Sequence, residues 1–248
     1  MNYRWRLFYA LLVSALLAAP LSAQLPSHAD LNAALESVVG TGNGGFELEM
    51  WATIVDRDGV VQAVTHSGDD RGDQWPGSRV LSAQKANTAN AFSLPGLPLS
   101  TANLFSAVQP GGSLFGLQFS NPVATDAAYG GDSEDIGTAS DPMVGQKIGG
   151  VNVFGGGLPL YGTDGTLLGA IGLSGDSSCA DHNIAWKVRH ALNLDNVPGG
   201  VSGTGDDNIV YDITAGSSTS GWGHAECADA ATTVGNDLPT THPIGSAE

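Results

Sequence analysis

The sequence predicts a domain of the mixed α/β class, of the α+β kind, in which helices pack on an antiparallel sheet. Two Asp-Gly pairs, at residues 58–59 and 164–165, each separate two apolar runs of strand length. Asp-Gly favours a tight hairpin turn because glycine adopts positive φ at little energetic cost. Residues 31–39, 78–92 and 179–192 place apolar side chains at helical spacing, which predicts three helices.

The N-terminal segment, residues 1–23, has the order of a secretory signal peptide. Arg4 and Arg6 precede an apolar run, which Pro20 ends shortly before a cleavage site ahead of Gln24. The run is short for a membrane span, and no later run approaches that length. We therefore expect a periplasmic or secreted protein with no membrane attachment after cleavage. An uncleaved N-terminal anchor is the alternative.

The chain is strongly acidic, with 25 Asp and Glu residues against nine Lys and Arg residues. This balance repels phosphate backbones and anionic lipid surfaces. It therefore argues against nucleic-acid binding and against docking on a membrane through basic residues. The mature part, about 225 residues, fits one domain with embellishments.

The first helix is predicted at residues 31–39, where Ser27 or Asp30 can cap its start. The next segment, residues 40–45, matches G-x-G-x-x-G but follows a helix rather than a strand. It is therefore not a dinucleotide-binding fingerprint. Strands are then predicted on either side of the first Asp-Gly turn, over residues 46–55 and over the segment 60–66.

The polar loop 67–77 contains Arg71-Gly72-Asp73, a tripeptide that can be interpreted as a cell-adhesion motif. Three common surface residues often meet by chance, so we interpret the loop as solvated. Its aspartates lack the spacing of an EF-hand calcium site. The second helix is predicted at residues 78–92, with Ser78 as its N-cap. On this helix, Lys85 is either a solvated charge or a group that faces a ligand.

The middle of the chain, up to residue 150, is rich in loops. We predict a short helix at 100–108 and a strand at 114–119. The acidic segment around 109–147 is interpreted as an insertion or a lid, because long loops in compact domains are often functional.

The densest glycine signal follows the insertion. Extended segments are predicted at 151–161 and 167–173, and a helix at 179–192. Glycines inside a strand weaken it unless another backbone or a ligand packs there. We therefore expect a close approach at Gly169 and Gly172.

The C-terminal extension, residues 195–248, is rich in Gly, Asp and Ser. One strand is predicted at 208–213, and residues 229–248 are expected to be mobile. In an exported chain the only two cysteines, Cys179 and Cys227, most simply form a disulfide. This bond would tie the extension to the last helix and contribute on the order of 3–4 kcal/mol. A metal or redox role is the alternative.

Motifs of familiar enzymes are absent from the sequence. Ser174 is not a hydrolase nucleophile, because Asp176 stands where the nucleophile elbow needs a glycine. His182 and His190 lie roughly 80° apart on one helix, too far for an easily shared metal. His66, at a strand end beside a loop, is better placed to anchor a ligand.

Five short motifs carry a family resemblance. They are IVDRDG at 54–59, KANTA at 85–89, GGLPL at 156–160, GAIGLSG at 169–175, and Asp181 at the following helix start. In this order they resemble the GlcG/HbpS-like family, which contains haem-binding or haem-degrading domains and the C-terminal part of PduO-type proteins. The resemblance covers about residues 28–194; the long acidic insertion and the C-terminal extension depart from it.

The resemblance implies a profilin-like antiparallel sheet of about five strands with packed helices over residues 24–194. It also implies a homo-oligomer and a pocket for haem or another small anionic ligand. The N-terminus of the last helix would suit a carboxylate. No catalytic residue is assigned. The expected cofactor-binding residues are His66, Lys85, Thr88, Gly156, Gly157, Pro159, Ser174, Asp181 and His182.

On this basis we expect an exported, non-catalytic haem-binding protein for haem scavenging, carriage or sensing. One alternative is oxidative haem degradation, which is less favoured because the sequence shows no poised acid–base pair. The other is a binder of small organic acids such as glycolate-like hydroxy acids.

Overall fold

The computed structural model describes residues 24–245, so the signal peptide expected at residues 1–23 lies outside the described residues. Across the described range, no helix has the length and apolar character that a bilayer span requires.

The centre of the fold is an antiparallel sheet of four strands in the order β2-β1-β4-β3. Its strands are β1 (Trp51–Asp56), β2 (Val61–His66), β3 (Gly157–Tyr161) and β4 (Leu167–Ser174). Both Asp-Gly turns join neighbouring antiparallel strands, which confirms the predicted α+β class. The sheet has one strand fewer than the expected five. A separate two-stranded ribbon, β5 (Ile213–Thr214) and β6 (Ser217–Ser218), lies in the C-terminal extension.

Helices cover both faces of the sheet. The longer ones are α1 (His28–Val38), α2 (Ser78–Phe92), α5 (Ser178–Ala191) and α6 (Asp229–Thr241), and short α3 (Leu117–Ser120) and α4 (Thr125–Tyr129) lie between β2 and β3. Along β1 the side chains alternate: Ala52 and Ile54 pack towards α1 and α5, whereas Trp51 and Val55 pack towards α2. This two-residue period is the one expected of a strand buried on both faces.

Helix α2 lies very close to the sheet because a glycine faces it. A Cβ atom on Gly172 would lie 2.0 Å from the Ser82 carbonyl oxygen, so any other residue would push the helix away. The expected close approach at this glycine is confirmed. The bounds of α2 agree with the prediction, but its N-cap is Gly77, and Ser78 is already the first helical residue.

Two predicted strands in the first half of the chain are wrong in part or entirely. Residues 46–50 are not a strand, because Glu47 has φ 58° and the Asp176 carboxylate accepts the backbone N–H groups of Phe46 and Leu48. The segment 114–119, predicted as a strand, contains the start of α3 instead. The predicted helix at 100–108 forms two 3-10 turns.

The acidic insertion packs against α2 through a buried ion pair. Arg79 Nε and Nη2 donate to the Asp141 carboxylate, and Arg79 Nη1 donates to the Ala128 carbonyl. Asp141 also accepts the backbone N–H groups of Gly137 and Met143, so the insertion is held at several points.

The C-terminal extension is more ordered than the sequence predicts. Residues 208–212, predicted as part of a strand, belong to no strand, and β5 begins only at Ile213. The expectation of a mobile tail from residue 229 is wrong over the described part, because α6 packs on α5 with Leu238 fully buried. The predicted disulfide between Cys179 and Cys227 is confirmed.

Candidate functional site

A cleft opens between α2 and the N-terminal end of α5, and we call it the α2–α5 cleft. Its volume is about 280 Å³. The lining residues that matter below are Trp75, Leu81, Lys85, Phe154, Ser174 and Asp181.

A buried ion pair forms the floor of the cleft. Lys85 Nζ lies 2.6 Å from Asp181 Oδ2 and donates a second hydrogen bond to the Leu173 carbonyl. The other carboxylate oxygen, Asp181 Oδ1, accepts the backbone N–H of Asp176 at 2.8 Å. Burial raises the pKa of Asp181 to about 6, although the Lys85 ammonium acts in the opposite direction. The cleft therefore contains a carboxyl group that changes charge just below neutral pH.

The glycine run before β3 lets the chain pass close beside this pair. Gly156 has φ 113°, and a Cβ atom there would lie 2.5 Å from the Leu173 carbonyl oxygen and 3.1 Å from Lys85 Nζ. Gly157 is equally confined, because its Cβ would meet the Lys85 carbonyl at 2.5 Å. Glycine at position 156 therefore leaves room for the Lys85–Asp181 pair, and glycine at position 157 leaves room for the backbone of α2.

Hydroxyl groups complete the polar part of the cleft. Ser174 Oγ donates to Ser78 Oγ at 3.3 Å, and Ser178 contributes a further hydroxyl at the start of α5. Two N–H groups of the first turn of α5 are already bound within the chain. The Cys179 N–H donates to the Cys227 sulfur, and the Ala180 N–H donates to Ser177 Oγ. The end of α5 thus offers a ligand fewer backbone donors than the sequence suggests.

The rim of the cleft is apolar and exposed. Trp75 is 54% exposed, Phe154 46% and Leu81 39%. Large apolar side chains at the mouth of a polar cleft are typical of sites for ligands that carry both an apolar body and a charged group.

Four of the expected site residues are brought together here. Lys85, Ser174 and Asp181 line the cleft, and Gly156 lies against the ion pair. Gly157 packs against Thr101 and α2 rather than facing the cleft.

Two other expected residues serve the interior. The Thr88 hydroxyl donates to the Gln84 carbonyl and accepts the Asn152 N–H. Pro159 lies within β3, and its carbonyl accepts a hydrogen bond from Arg189.

The two expected histidines lie outside the cleft lining. His66 Nδ1 bonds to the Gly68 carbonyl, and its ring contacts Trp51 edge-on at 5.0 Å. His182 is fully buried under the C-terminal extension, where Nε2 bonds to the Ile209 N–H. Burial lowers the pKa of His182 to about 3, so this side chain is neutral.

Comparison with known proteins identifies the family. A sequence profile described as "Haem degrading protein HbpS-like" matches residues 27–189. The chain belongs to the HbpS-like family. No curated protein matches the chain.

Three solved structures are similar to this chain. A PduOC:haem complex is 25% identical, covers 67% of this chain and 91% of its own, and has a TM-score of 0.47. The protein ORFY of Klebsiella pneumoniae is 23% identical, with coverages of 70% and 96% and a TM-score of 0.46. HbpS is 15% identical, with coverages of 67% and 89% and a TM-score of 0.40.

One notable residue beside the cleft lies beyond the HbpS-like match. His224, from the C-terminal extension, is buried against Phe105 at 4.7 Å and Phe154 at 6.5 Å between ring centroids. Its Nδ1 bonds to the Ala225 carbonyl, and its Nε2 has no partner among the described residues. Burial lowers the pKa of His224 to about 4. In the sequence it is marked only by its closeness to Cys227.

The described residues contain no group of three or more His, Cys, Asp or Glu side chains that could hold a metal ion.

The sequence did not predict the apolar rim of the cleft or His224. Exposed aromatic residues carry no motif, and only the folded chain brings residues 75, 81 and 154 to one opening.

Proposed function

We propose that the chain is an exported haem-binding protein that serves haem scavenging, carriage or sensing, and that haem binds in the α2–α5 cleft. The observation that carries this proposal is the combination of a buried ammonium group, Lys85, with an exposed apolar rim at one opening. Membership of the HbpS-like family supports haem as the ligand of a site that combines these two features.

The cleft fits part of a haem rather than all of it. Its volume of about 280 Å³ lies just below the usual range for small-molecule pockets, about 300–1,000 Å³. A haem would therefore enter by one edge. The Lys85 ammonium and the Ser174 hydroxyl suit a propionate carboxylate, whereas the rings of Trp75 and Phe154 suit the porphyrin face.

We propose His224 as the iron ligand; its ring is buried against Phe105 and Phe154, so Phe154 would have to move for iron to reach it. The described cleft lining contains no His, Cys, Met or Tyr, and Lys85 is held by Asp181. When Nδ1 of His224 donates to the Ala225 carbonyl, Nε2 keeps its lone pair, and metal-binding histidines are commonly oriented by such a carbonyl. When bound, haem would supply an iron centre that can bind gases or exchange electrons.

Export and self-association complete the proposal. A disulfide between Cys179 and Cys227 agrees with an oxidising compartment, which supports removal of a signal peptide at residues 1–23. We propose that copies of the chain associate, as the family resemblance implies. Light scattering on the purified protein tests this, and a monomer at all concentrations would contradict it.

Haemin titration tests the binding proposal. We expect a saturable Soret band with the parent protein. Phe154→Ser should weaken haemin binding about tenfold, because it removes an aromatic contact and apolar area from the rim. Phe119→Ser is the matched control, since Phe119 is 83% exposed and does not line the cleft. Equal binding by both variants, or no Soret band with the parent protein, would refute the cleft as the haem site.

A second function, haem degradation, is favoured by one observation in the cleft. Asp181 has a pKa of about 6 and could hold or release a proton near neutral pH. Under air with ascorbate, a degrading enzyme would lose the Soret band and release iron, and Asp181→Asn would slow this. Unchanged haem would exclude this second function under those conditions.

Binding of a small organic acid is the third candidate. The Lys85 ammonium and the serine hydroxyls could hold a glycolate-like acid without the apolar rim. A thermal-shift comparison separates the candidates, because a specific ligand stabilises the folded state by mass action. Stabilisation by glycolate but not by haemin would favour the small acid.

A further inference from the structure

A second cavity lies on the other side of the first turn of α2, between the loop 67–77 and the acidic insertion. Its volume is about 310 Å³, and no residue that lines it also lines the α2–α5 cleft. We call it the Trp51 cavity, and its important wall residues are Trp51, Arg71, Arg79, Val80, Tyr129 and Ile136. This volume is enough for a small ligand of one or two rings, by the range of about 300–1,000 Å³ for such pockets.

The walls of the Trp51 cavity are largely aromatic and aliphatic. Trp51 is held in place by its edge-on contact with His66, and Val80 and Ile136 add aliphatic surface. Tyr129, at the insertion side, is 68% exposed although its ring borders the cavity. Flat ring surfaces with aliphatic neighbours favour a planar, apolar ligand body.

The cavity wall also includes a residue with an unused buried donor. Trp51 is 1% exposed, and its indole Nε1–H has no acceptor within residues 24–245. An unpaired buried donor is unfavourable, so a ligand atom that accepts this hydrogen would be bound selectively.

The two arginines that line the cavity differ in their ion pairing. Arg79 is neutralised by Asp141 and is also bound to the Ala128 carbonyl. Arg71 makes no ion pair within the described part of the chain; the neighbouring Asp70 also lines the cavity, and its carboxylate accepts the Gly72 N–H. A guanidinium in this position suits a carboxylate.

We propose that the Trp51 cavity binds a planar aromatic carboxylate, whose ring packs against Trp51, Val80 and Ile136 and whose carboxylate pairs with Arg71. This site is independent of haem binding in the α2–α5 cleft. The same chemistry occurs in a small aromatic acid and at the propionate edge of a porphyrin. The volume of about 310 Å³ favours the small acid.

Calorimetric titration with indole-3-acetate tests the proposal on the purified, disulfide-intact protein. We expect saturable binding that Arg71→Gln weakens about tenfold, because one charge-assisted contact is lost. Trp51→Phe keeps a ring and removes the N–H, and it should weaken binding about threefold to tenfold. Lys147→Gln is the control for charge, and Phe154→Ser is the control for the other site; both should bind as the parent protein does.

Three comparison ligands sharpen the result. Indole-3-acetamide, which lacks the charge, and acetate, which lacks the ring, should each bind more weakly than indole-3-acetate. Competition by haemin that survives Phe154→Ser would identify the porphyrin edge as a source of the same chemistry and would support the site. Equal binding of acetate, binding unchanged by Arg71→Gln and Trp51→Phe, or no binding of either indole-3-acetate or haemin would overturn the proposal.

Discussion

The α2–α5 cleft and the Trp51 cavity have similar volumes, about 280 and 310 Å³, but they differ in the charged groups that their walls offer to a ligand. Helix α2 contributes to both: Lys85 lines the cleft, whereas Arg79 and Val80 line the cavity. In the cleft the charged pair faces the ligand space. In the cavity Arg79 is paired with Asp141 of the insertion, and the rest of the wall combines apolar side chains with the Arg71 guanidinium and the Asp70 carboxylate.

Because of this difference, the same charged residue serves stability and ligand binding in the cleft, whereas the two properties depend on different residues in the cavity. In the cleft, Lys85 both holds the fold together and would bind a carboxylate, so its removal harms both properties. In the Trp51 cavity, Arg71 lies on the exposed loop, and its removal should change binding alone. Variants that act on only one of the two regions can therefore test the comparison.

The largest expected effect is on stability, from breaking the ion pair of the cleft. Lys85→Met leaves Asp181 buried without its partner, and we expect the free energy of unfolding to fall by about 3–5 kcal/mol in urea denaturation. Arg71→Gln, the matching change in the other cavity, should alter it by less than about 0.5 kcal/mol.

A double variant separates loss of the pair from loss of packing. Lys85→Met combined with Asp181→Leu removes both charges, and most of the lost stability should return. If Lys85→Met alone is as stable as the parent protein, the ion pair does not hold the cleft together.

The disulfide is expected to have the next largest effect. Cys179→Ala/Cys227→Ala should lower the free energy of unfolding by about 3–4 kcal/mol, since the bond closes a loop with a sequence separation of 48. The same variant should weaken haemin binding, because His224 and the start of α5 lose their link. Indole-3-acetate binding should be unchanged, and a parallel loss of both ligands would contradict independent sites.

The smallest expected effect is a pH dependence confined to the cleft. Because the pKa of Asp181 is raised to about 6, its protonated fraction grows about fivefold between pH 7 and pH 6. Protonation removes the negative charge beside Lys85, so the affinity for a carboxylate ligand should rise by up to about fivefold. Asp181→Asn should bind tightly at both pH values. A haemin affinity that falls over this range in the parent protein would reverse the sign and refute the argument.

The parts of the fold that local signals determine could be predicted from the sequence. The two Asp-Gly turns placed β1 beside β2 and β3 beside β4, and apolar periodicity placed α2 and α5 within a residue or two. The strand predicted over residues 46–50 does not form, because Asp176, far along the chain, accepts hydrogen bonds from the backbone N–H groups of Phe46 and Leu48. Strand-like composition is overridden there by a contact that no local pattern contains.

The C-terminal extension shows the same limit more strongly. Helix α6 has three threonines in its first and last turns and Pro239 inside it, so its intrinsic helix propensity is poor. It forms because Leu238 is buried and because the Asn183 side chain and the Trp186 indole bind carbonyls of Ala231 and His242. Tertiary packing, which the sequence does not display, decides this segment.

The candidate site was predicted in part for a similar reason. The family motifs mark Lys85 and Asp181, which are 96 residues apart and meet as an ion pair. The rim residues and His224 carry no motif. They lie close together because residues 155–157 pass beside the start of α5 and because the disulfide ties the C-terminal extension to the same helix. Only the structure shows this arrangement.

The most direct measurement of the central claim is a crystal structure of the haemin-loaded protein with an anomalous map at the iron edge. We predict a single iron peak at the α2–α5 cleft, between the rim of Trp75, Leu81 and Phe154 and the His224 side chain. An iron peak at the Trp51 cavity alone, or on a surface remote from both, would contradict the assignment of the cleft as the haem site.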